Sequence, residues 1–479
     1  MRVLLVWPHG YDTEYVMPLS LGYLKSNTPK RHPVKLLDCS LHHIRADSAE
    51  FRKQLKRFKP DLVGVSAWSP TYNESIEIFR VAKEYDPKII TVMGGAHATA
   101  YPDLIMKNKL VDYLFLGEAE LSFPDFLDEL EKGKGARDLS GIKGLVMRKA
   151  DGTLEKHDME RQDDLDKIKI PDYKAMDLPA YLAKGYRFNT SYKMNAPVWV
   201  TRGCPYRCAF CSAPQINGRA IRAHSTAYMK KWVKYLNEEF GIIQFNIIDD
   251  NFTFNIDYAK EFCAAFISEG RSDLHFGTPN GIRMQRLDDE LLAMMKKAGW
   301  ENLIVAPESG SRKTLKRMVK GIDPDIVPGI VERIKAAGLK VHGFFMIGYP
   351  GETPEDIAET VELLRKCKFN FFFLNNFQPL PGTPVYNELV ELGEIPPNFL
   401  PKNYSDGQRS YTPEALKDYN FPKLVLREYA RLAITNPANI LYMVKLVSPG
   451  LMARKVMANM KNMVVGKAAE DTRPKAAVS

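Results

Sequence analysis

No apolar run in the 479 residues approaches the roughly 18 that a bilayer crossing needs, so no membrane-spanning helix is expected. The opening stretch MRVLLVWPHG lacks the basic region, long apolar segment and small-residue cleavage site of a secretory leader, and a cytoplasmic protein is expected. With 45% hydrophobic and 26% charged residues, disordered and collagen-like architectures are excluded, and the length suits about two to three domains. Cysteine is scarce, at six residues, but Cys204, Cys208 and Cys211 fall within eight positions, whereas Cys39, Cys263 and Cys367 stand singly in apolar surroundings. That usage excludes a disulfide framework and points to a metal site in a reducing compartment.

The net charge of +9 is concentrated at one end. Residues 402–479 hold 13 Lys/Arg against 6 Asp/Glu, which leaves +2 for the rest. Between 440 and 469 there are five basic residues and no acidic one, while Met452, Val456, Met460, Met463 and Val464 recur at helical spacing. The pattern fits either an amphipathic helix at an anionic membrane surface or a helix packed on a domain with a solvated basic face. The first reading favours an apolar or lipid-like substrate and a peripheral membrane contact. A nucleic-acid partner is not expected.

Along residues 1–130, near-continuous apolar runs at 2–7, 62–66, 89–93 and 113–116 alternate with helical patterns, as in a parallel sheet covered on both faces. Each run ends in small or polar residues, where open α/β sheets bind ligands. Residues 131–195, broken by Asp151-Gly152 and by prolines, read as a hairpin and linker. From Pro197 six further strands are predicted near 197–201, 244–248, 275–279, 303–306, 341–347 and 371–377, with helices between. They suggest a parallel barrel or partial barrel with its site at the strands' carboxyl ends. The text after about 395 is proline-rich and then helical.

The segment Thr201-Arg202-Gly203-Cys204-Pro205-Tyr206-Arg207-Cys208-Ala209-Phe210-Cys211 follows the first of these strands. Thiolates at C-x3-C-x2-C suit three irons of a 4Fe-4S cluster and leave the fourth open, typically to the amino and carboxylate groups of S-adenosylmethionine (SAM). A structural zinc site would need a fourth ligand, and His224 has no partner spacing. This stretch resembles the radical SAM superfamily signature, with Phe210 ahead of the third cysteine. The resemblance continues through Asp249-Asp250-Asn251, Asn280-Gly281-Ile282-Arg283, Pro307-Glu308-Ser309-Gly310 and Gly343–Glu352. It implies SAM contacts from Phe210, from Asp249, Asp250 or Asn251 at the methionine part, from Arg283 and Glu308 near the ribose and carboxylate, and from Gly348 at the adenine.

Residues 1–130 in turn resemble the cobalamin-binding domain that precedes the barrel in one branch of that superfamily. Met17–Leu24, Pro60–Ser66, Gly94–Thr99, Gly117–Glu120 and Gly141–Leu145 carry the match. The D-x-H-x-x-G motif that supplies an axial histidine elsewhere is absent. His9 and His97 occupy strand-end loops, although lone histidines usually serve as hydrogen-bonded structural residues. The implied corrin contacts are Leu19, Ser66, Trp68, Gly94, Gly95, His97, Thr99, Gly117 and Glu118.

The expected fold is therefore α/β: a Rossmann-like cobalamin domain (1–140), a hairpin and linker (141–195), a partial (β/α)6 radical SAM barrel (196–395) and a helical carboxyl-terminal region (396–479). The implied function is C-methylation, in which one SAM methylates cobalamin and a second yields a 5′-deoxyadenosyl radical that abstracts hydrogen from an unactivated substrate carbon. A flavodoxin- or ferredoxin-type donor would supply electrons. A cobalamin-dependent cyclase or rearrangement enzyme of a tetrapyrrole or lipid pathway, and a non-catalytic sensor of cobalamin or SAM, are the alternatives.

Overall fold

Seven strands order themselves around the apolar runs of the first 156 residues in the computed structural model. The structure describes residues 1–10, 16–132, 137–159, 161–186, 190–401, 409–435, 437 and 442. The basic segment read as an amphipathic helix, 440–469, lies outside the described residues except for Tyr442. Among the described residues no helix is long and apolar enough to cross a membrane.

The chain divides into two compact units. The first comprises Met1–Tyr186, Thr201–Pro205 and Ser212–Phe240; the second comprises Arg187–Val200, Tyr206–Cys211 and Gly241–Ser479.

In the first unit β1 (Val3–Trp7), β2 (Val34–Asp38), β3 (Leu62–Ser66), β4 (Ile90–Gly94) and β5 (Tyr113–Phe115) are parallel, in the order β2-β1-β3-β4-β5. The strands β6 (Leu145–Arg148) and β7 (Leu154–Lys156) add an antiparallel hairpin, so the expected hairpin continues this sheet. Its turn carries Gly152 at φ +87°. Every residue of β1 and β3 is buried, because helices cover both faces: one core gathers Leu4, Val6, Val63 and Val65, the other Val3, Leu5, Trp7 and Leu62. The alternation of side chains across a strand produces this division. Strand β2 escaped the sequence reading; it is the sheet's edge, and its first three residues are only half-buried.

The second unit contains all six expected barrel strands: β8 (Asn195–Val198), with β9 (Thr201–Arg202) and β10 (Arg222–Ala223) intervening in sequence but belonging to the first unit, then β11 (Gln244–Ile247), β12 (His275–Gly277), β13 (Asn302–Glu308), β14 (Lys340–Ile347) and β15 (Phe371–Asn376). They pair in parallel as β8-β11-β12 and β13-β14-β15. A parallel bridge, Ile282 to Val305, follows β12. The helix Phe421–Thr435 packs on the outer layer, where Tyr429 stacks on Phe372 at 4.9 Å and buried Glu428 accepts from Arg365 Nε at 2.9 Å.

Candidate active site

In the first unit, parallel strands bring the residues expected to meet a corrin to one edge of the sheet. Ser66 ends β3, Gly94 ends β4, and Gly117 follows β5. The Ser66 hydroxyl lies 3.3 Å from that of Ser20, next to Leu19 at the start of the helix Leu19–Asn27. Trp68 packs edge-on against Trp7, with ring centroids 5.4 Å apart. Thr99 Oγ1 donates to Gly95 O at 3.1 Å and accepts from Gly117 N at 3.0 Å, which ties the β4 and β5 ends together.

The two glycines after β4 serve different purposes. Gly95 has φ +92°, and a Cβ there would stand 2.8 Å from the Ala67 carbonyl oxygen, so the backbone itself requires glycine. At Gly94 a Cβ would meet nothing nearer than Phe115 O at 3.7 Å, and φ is not in the left-handed region. Neither backbone nor packing calls for glycine there, since a Cβ would sit in ordinary van der Waals contact with Phe115; a glycine at such a strand end lets a flat ligand approach the backbone.

His97 is fully buried, packed between Tyr72 at 4.6 Å and Tyr101 at 5.4 Å, with Nδ1 3.0 Å from the Ser69 hydroxyl. Burial pushes its pKa down to about 4, so the ring is neutral near pH 7; Nε2 has no hydrogen-bond partner. Glu118 is engaged by two guanidiniums: Arg222 Nη1 at 2.9 Å and Arg202 Nη1 at 3.2 Å from its Oε2.

The cysteine loop is anchored residue by residue. Within the first unit, Cys204 N donates to Gly218 O at 3.0 Å. Within the second, Ala209 N donates to Met318 O at 2.9 Å, Val385 N to Ala209 O at 3.1 Å, and Cys211 N to Cys208 O at 3.1 Å. Cys204, Cys208 and Cys211 are all partly exposed, and the other three cysteines are buried. Among the described residues no three His, Cys, Asp or Glu side chains converge on a single point to hold one metal ion. A cubane cluster places each thiolate on its own iron, so it does not ask for that convergence. Three partly exposed thiols at C-x3-C-x2-C are the donor set such a cluster takes.

Around that loop in the second unit, Phe210 lies edge-on to Tyr349 at 6.5 Å, and Lys320 Nζ stands 5.7 Å from the Phe210 ring. Lys320, which sequence reasoning missed, donates to Glu308 Oε1 at 2.8 Å. Glu308 has φ +69°, and the β13–β14 register shifts between Val305 and Glu308. A left-handed non-glycine residue at a bulged strand end is strained by about 1–3 kcal/mol, a strain that concentrates at functional positions. Arg283 stacks 3.5 Å over the Tyr206 ring and donates to the Lys320 carbonyl, so its guanidinium steadies the loop's first half. Asp249 Oδ1 accepts from Val200 N at 2.8 Å and fastens the end of β11 to that of β8; Asp250 is half-buried beside it. Asn251 Oδ1 and Thr278 Oγ1 are buried without hydrogen-bond partners at the carboxyl ends of β11 and β12. Unmet buried polar atoms are costly, and these two offer acceptors to an amino or hydroxyl donor such as SAM carries. Thr278 had no motif to mark it.

Gly348, φ +79°, follows β14, with Phe421 3.4 Å from where a Cβ would be. Its N–H donates to Glu352 Oε2 at 2.5 Å, and Tyr349 N donates to the same oxygen at 3.2 Å. Glu352 is 1% exposed, its Oε1 lacks a partner, and burial raises its pKa to about 7. The folded chain thus holds this proton more tightly than the unfolded chain. The stabilisation is complete below the ordinary value of 4.5 and is lost as pH rises through about 7. Urea unfolding followed from pH 4.5 to 8 should show a decline of roughly 3 kcal/mol from this group, and Glu352→Gln should flatten it; an unchanged slope in the variant would contradict the assignment.

The Radical SAM superfamily model matches residues 198–364, and the B12 binding domain model matches residues 14–127. An uncharacterized methyltransferase of Pyrococcus horikoshii is 30% identical over 400 residues, covering 81% of this chain and 83% of its own. The cytidylyl-2-hydroxyethylphosphonate methyltransferase of Streptomyces wedmorensis is 27% identical over 422 residues, covering 81% and 76%. Among solved structures, the cobalamin-dependent SAM radical enzyme OxsB with aqua-cobalamin and SAM bound superposes with a TM-score of 0.71 at 15% identity, covering 97% of this chain and 71% of that one.

Proposed function

The chain belongs to the radical SAM superfamily, in the branch that carries a cobalamin-binding domain, and from that membership we propose that it is a C-methyltransferase acting on a small molecule. A radical SAM enzyme of this branch uses a 4Fe-4S cluster, SAM and cobalamin. When bound, these groups supply the electron, the radical and the methyl carrier.

The observation that carries the reading is the joint presence of a C-x3-C-x2-C loop and a strand-end cradle in one chain. In this reading Cys204, Cys208 and Cys211 hold the cluster. Asn251 and Thr278 accept hydrogen bonds from SAM, Glu308 and Lys320 form a fixed charge pair beside Phe210, and the Gly348 corner, braced by Glu352, receives the adenine. Ser66, Gly94, Thr99 and Gly117 shape the corrin's bed. His97, buried against two tyrosines, keeps the β4 end in place and stays neutral. The protein's contribution is to position the reacting groups and keep water and stray hydrogen donors away.

Both relatives above are named methyltransferases, which favours methylation over ring closure. The reading extends to a cytoplasmic enzyme served by a flavodoxin- or ferredoxin-type donor, and to an apolar substrate met at a membrane surface through the basic segment 440–469. The test uses SAM labelled in its methyl group, a reductant, and a small-molecule extract. Labelled product with S-adenosylhomocysteine and 5′-deoxyadenosine in equal amounts is the expected result. Product with 5′-deoxyadenosine but no S-adenosylhomocysteine would replace methylation by cyclisation, and neither compound would mean no catalysis.

A further inference from the structure

Four charged side chains are buried together in the first unit. Arg202 and Arg222 are directly opposed across the β9–β10 pair, at 1% and 6% exposure. Like charges facing each other across strands repel, and a two-residue ladder has too few backbone bonds to overcome that alone. Two carboxylates just beyond β5 neutralise the pair. Glu118 takes both guanidiniums, and Glu120 Oε1 lies 2.8 Å from Arg202 Nη2. Arg222 also donates to Gln162 O and Asn217 O, each at 2.9 Å, while the Arg202 guanidinium lies 5.1 Å from the Tyr23 ring. Burial opposes the Arg202 charge, but Glu120, Tyr23 and Glu118 outweigh it and raise its pKa, so it stays ionised.

Buried ion pairs often add little net stability compared with apolar residues of the same shape, and in some proteins their contribution is instead to specify one geometry. The geometry fixed here is that of the residues leading to the first cysteine. After Arg202 comes Gly203, φ +99°, where a Cβ would stand 2.1 Å from the Ala220 carbonyl oxygen; then Cys204 N donates to Gly218 O at 3.0 Å. Three consecutive residues are thus held by a side-chain fork, a close backbone approach and a backbone hydrogen bond. Only the first is ionic, and its carboxylates come from the segment whose Gly117 is expected beneath the corrin.

We propose that Glu118, Glu120, Arg202 and Arg222 are positioning residues that fix Cys204 as a cluster ligand, so that the segment ending the corrin-binding sheet sets the integrity of the iron–sulfur site. This rests on the cluster reading above. A lysine at 202 keeps the charge but replaces the planar fork, whose separate nitrogens meet Glu118 and Glu120, with a single nitrogen on a flexible stem, and a glutamine at 120 keeps the shape but removes the charge.

The experiment uses the full chain, loaded anaerobically with iron, sulfide and hydroxocobalamin, in wild-type, Arg202→Lys and Glu120→Gln forms. Iron loss to bathophenanthroline, cluster type by electron paramagnetic resonance, and corrin per chain are measured together. In both variants iron should leave roughly tenfold to a hundredfold faster, as when a metal site loses an outer partner. Smaller clusters should appear while corrin occupancy stays at the wild-type level. Iron loss at the wild-type rate overturns the proposal. Iron and corrin lost together also overturn it, because the quartet would then only hold the unit folded. A wild-type chain that takes up no cluster overturns the underlying reading, and the proposal with it.

Discussion

Serine in place of Cys204, Cys208 or Cys211 is expected to lower reductive cleavage of SAM by at least roughly a hundredfold, more than an outer-sphere partner usually costs a metal site. Alanine in place of Cys39, Cys263 or Cys367 should leave it intact. The contrast follows from where the thiols stand. The first three are accessible on a loop whose backbone is pinned at Cys204, Ala209 and Cys211. The others are at most 1% exposed, and burial raises Cys263 and Cys367 to about 12 and Cys39 well above its ordinary value. A thiol that stays protonated does not ligate iron. Iron per chain and 5′-deoxyadenosine after chemical reduction measure both halves of the expectation. A serine variant with wild-type turnover would remove that cysteine from the ligand set.

The second large effect is at the strand-end cradle. In Gly94→Val the Cβ meets Phe115 only at ordinary van der Waals distance, 3.7 Å, and β-branched side chains suit strands. The variant should fold, and corrin occupancy should fall by roughly tenfold or more, a change worth about 1.4 kcal/mol. Cleavage of SAM to 5′-deoxyadenosine should persist, whereas S-adenosylhomocysteine and labelled product should fall in proportion to corrin occupancy. Gly95→Ala behaves differently, because its Cβ meets the Ala67 carbonyl oxygen at 2.8 Å and φ is +92°. It should destabilise the unit by about 1–3 kcal/mol, so that corrin loss follows unfolding. Thermal denaturation beside corrin absorbance separates the two cases. Full corrin occupancy in Gly94→Val would move the cradle elsewhere.

The cysteine loop was legible because its ligands are contiguous: spacing alone carries the chemistry when all donors fall within eight residues. Strands β13, β14 and β15 were legible because they contain apolar runs, as buried parallel strands do, whereas β8 (NAPV), β11 (QFNI) and β12 (HFG) are mixed and were placed by their spacing in the alternation. Strand β2 was not, because its half-buried Val34, Lys35 and Leu36 at the sheet edge lack such a run. The Arg202 quartet was invisible, since Glu118 and Arg222 are 104 residues apart. Nothing local distinguishes a buried arginine from a solvated one. Asn251 lay among three candidate polar residues, and only burial without a partner separates it from Asp249, which the Val200 N–H already engages. Arg283 and Glu308 were nominated as contacts of a ligand; they also steady Tyr206 and Lys320, a role that strand order alone does not reveal.

The most direct test of two cofactors serving one chain is an element count. Protein purified without oxygen from cells supplied with cobalamin should contain about four iron atoms, as a single cubane cluster requires, together with about one cobalt as corrin, as a single flat-ligand cradle requires. Iron at that level with no cobalt, and with SAM cleavage intact, would contradict the account and leave an adenosyl-radical enzyme whose first domain carries no corrin.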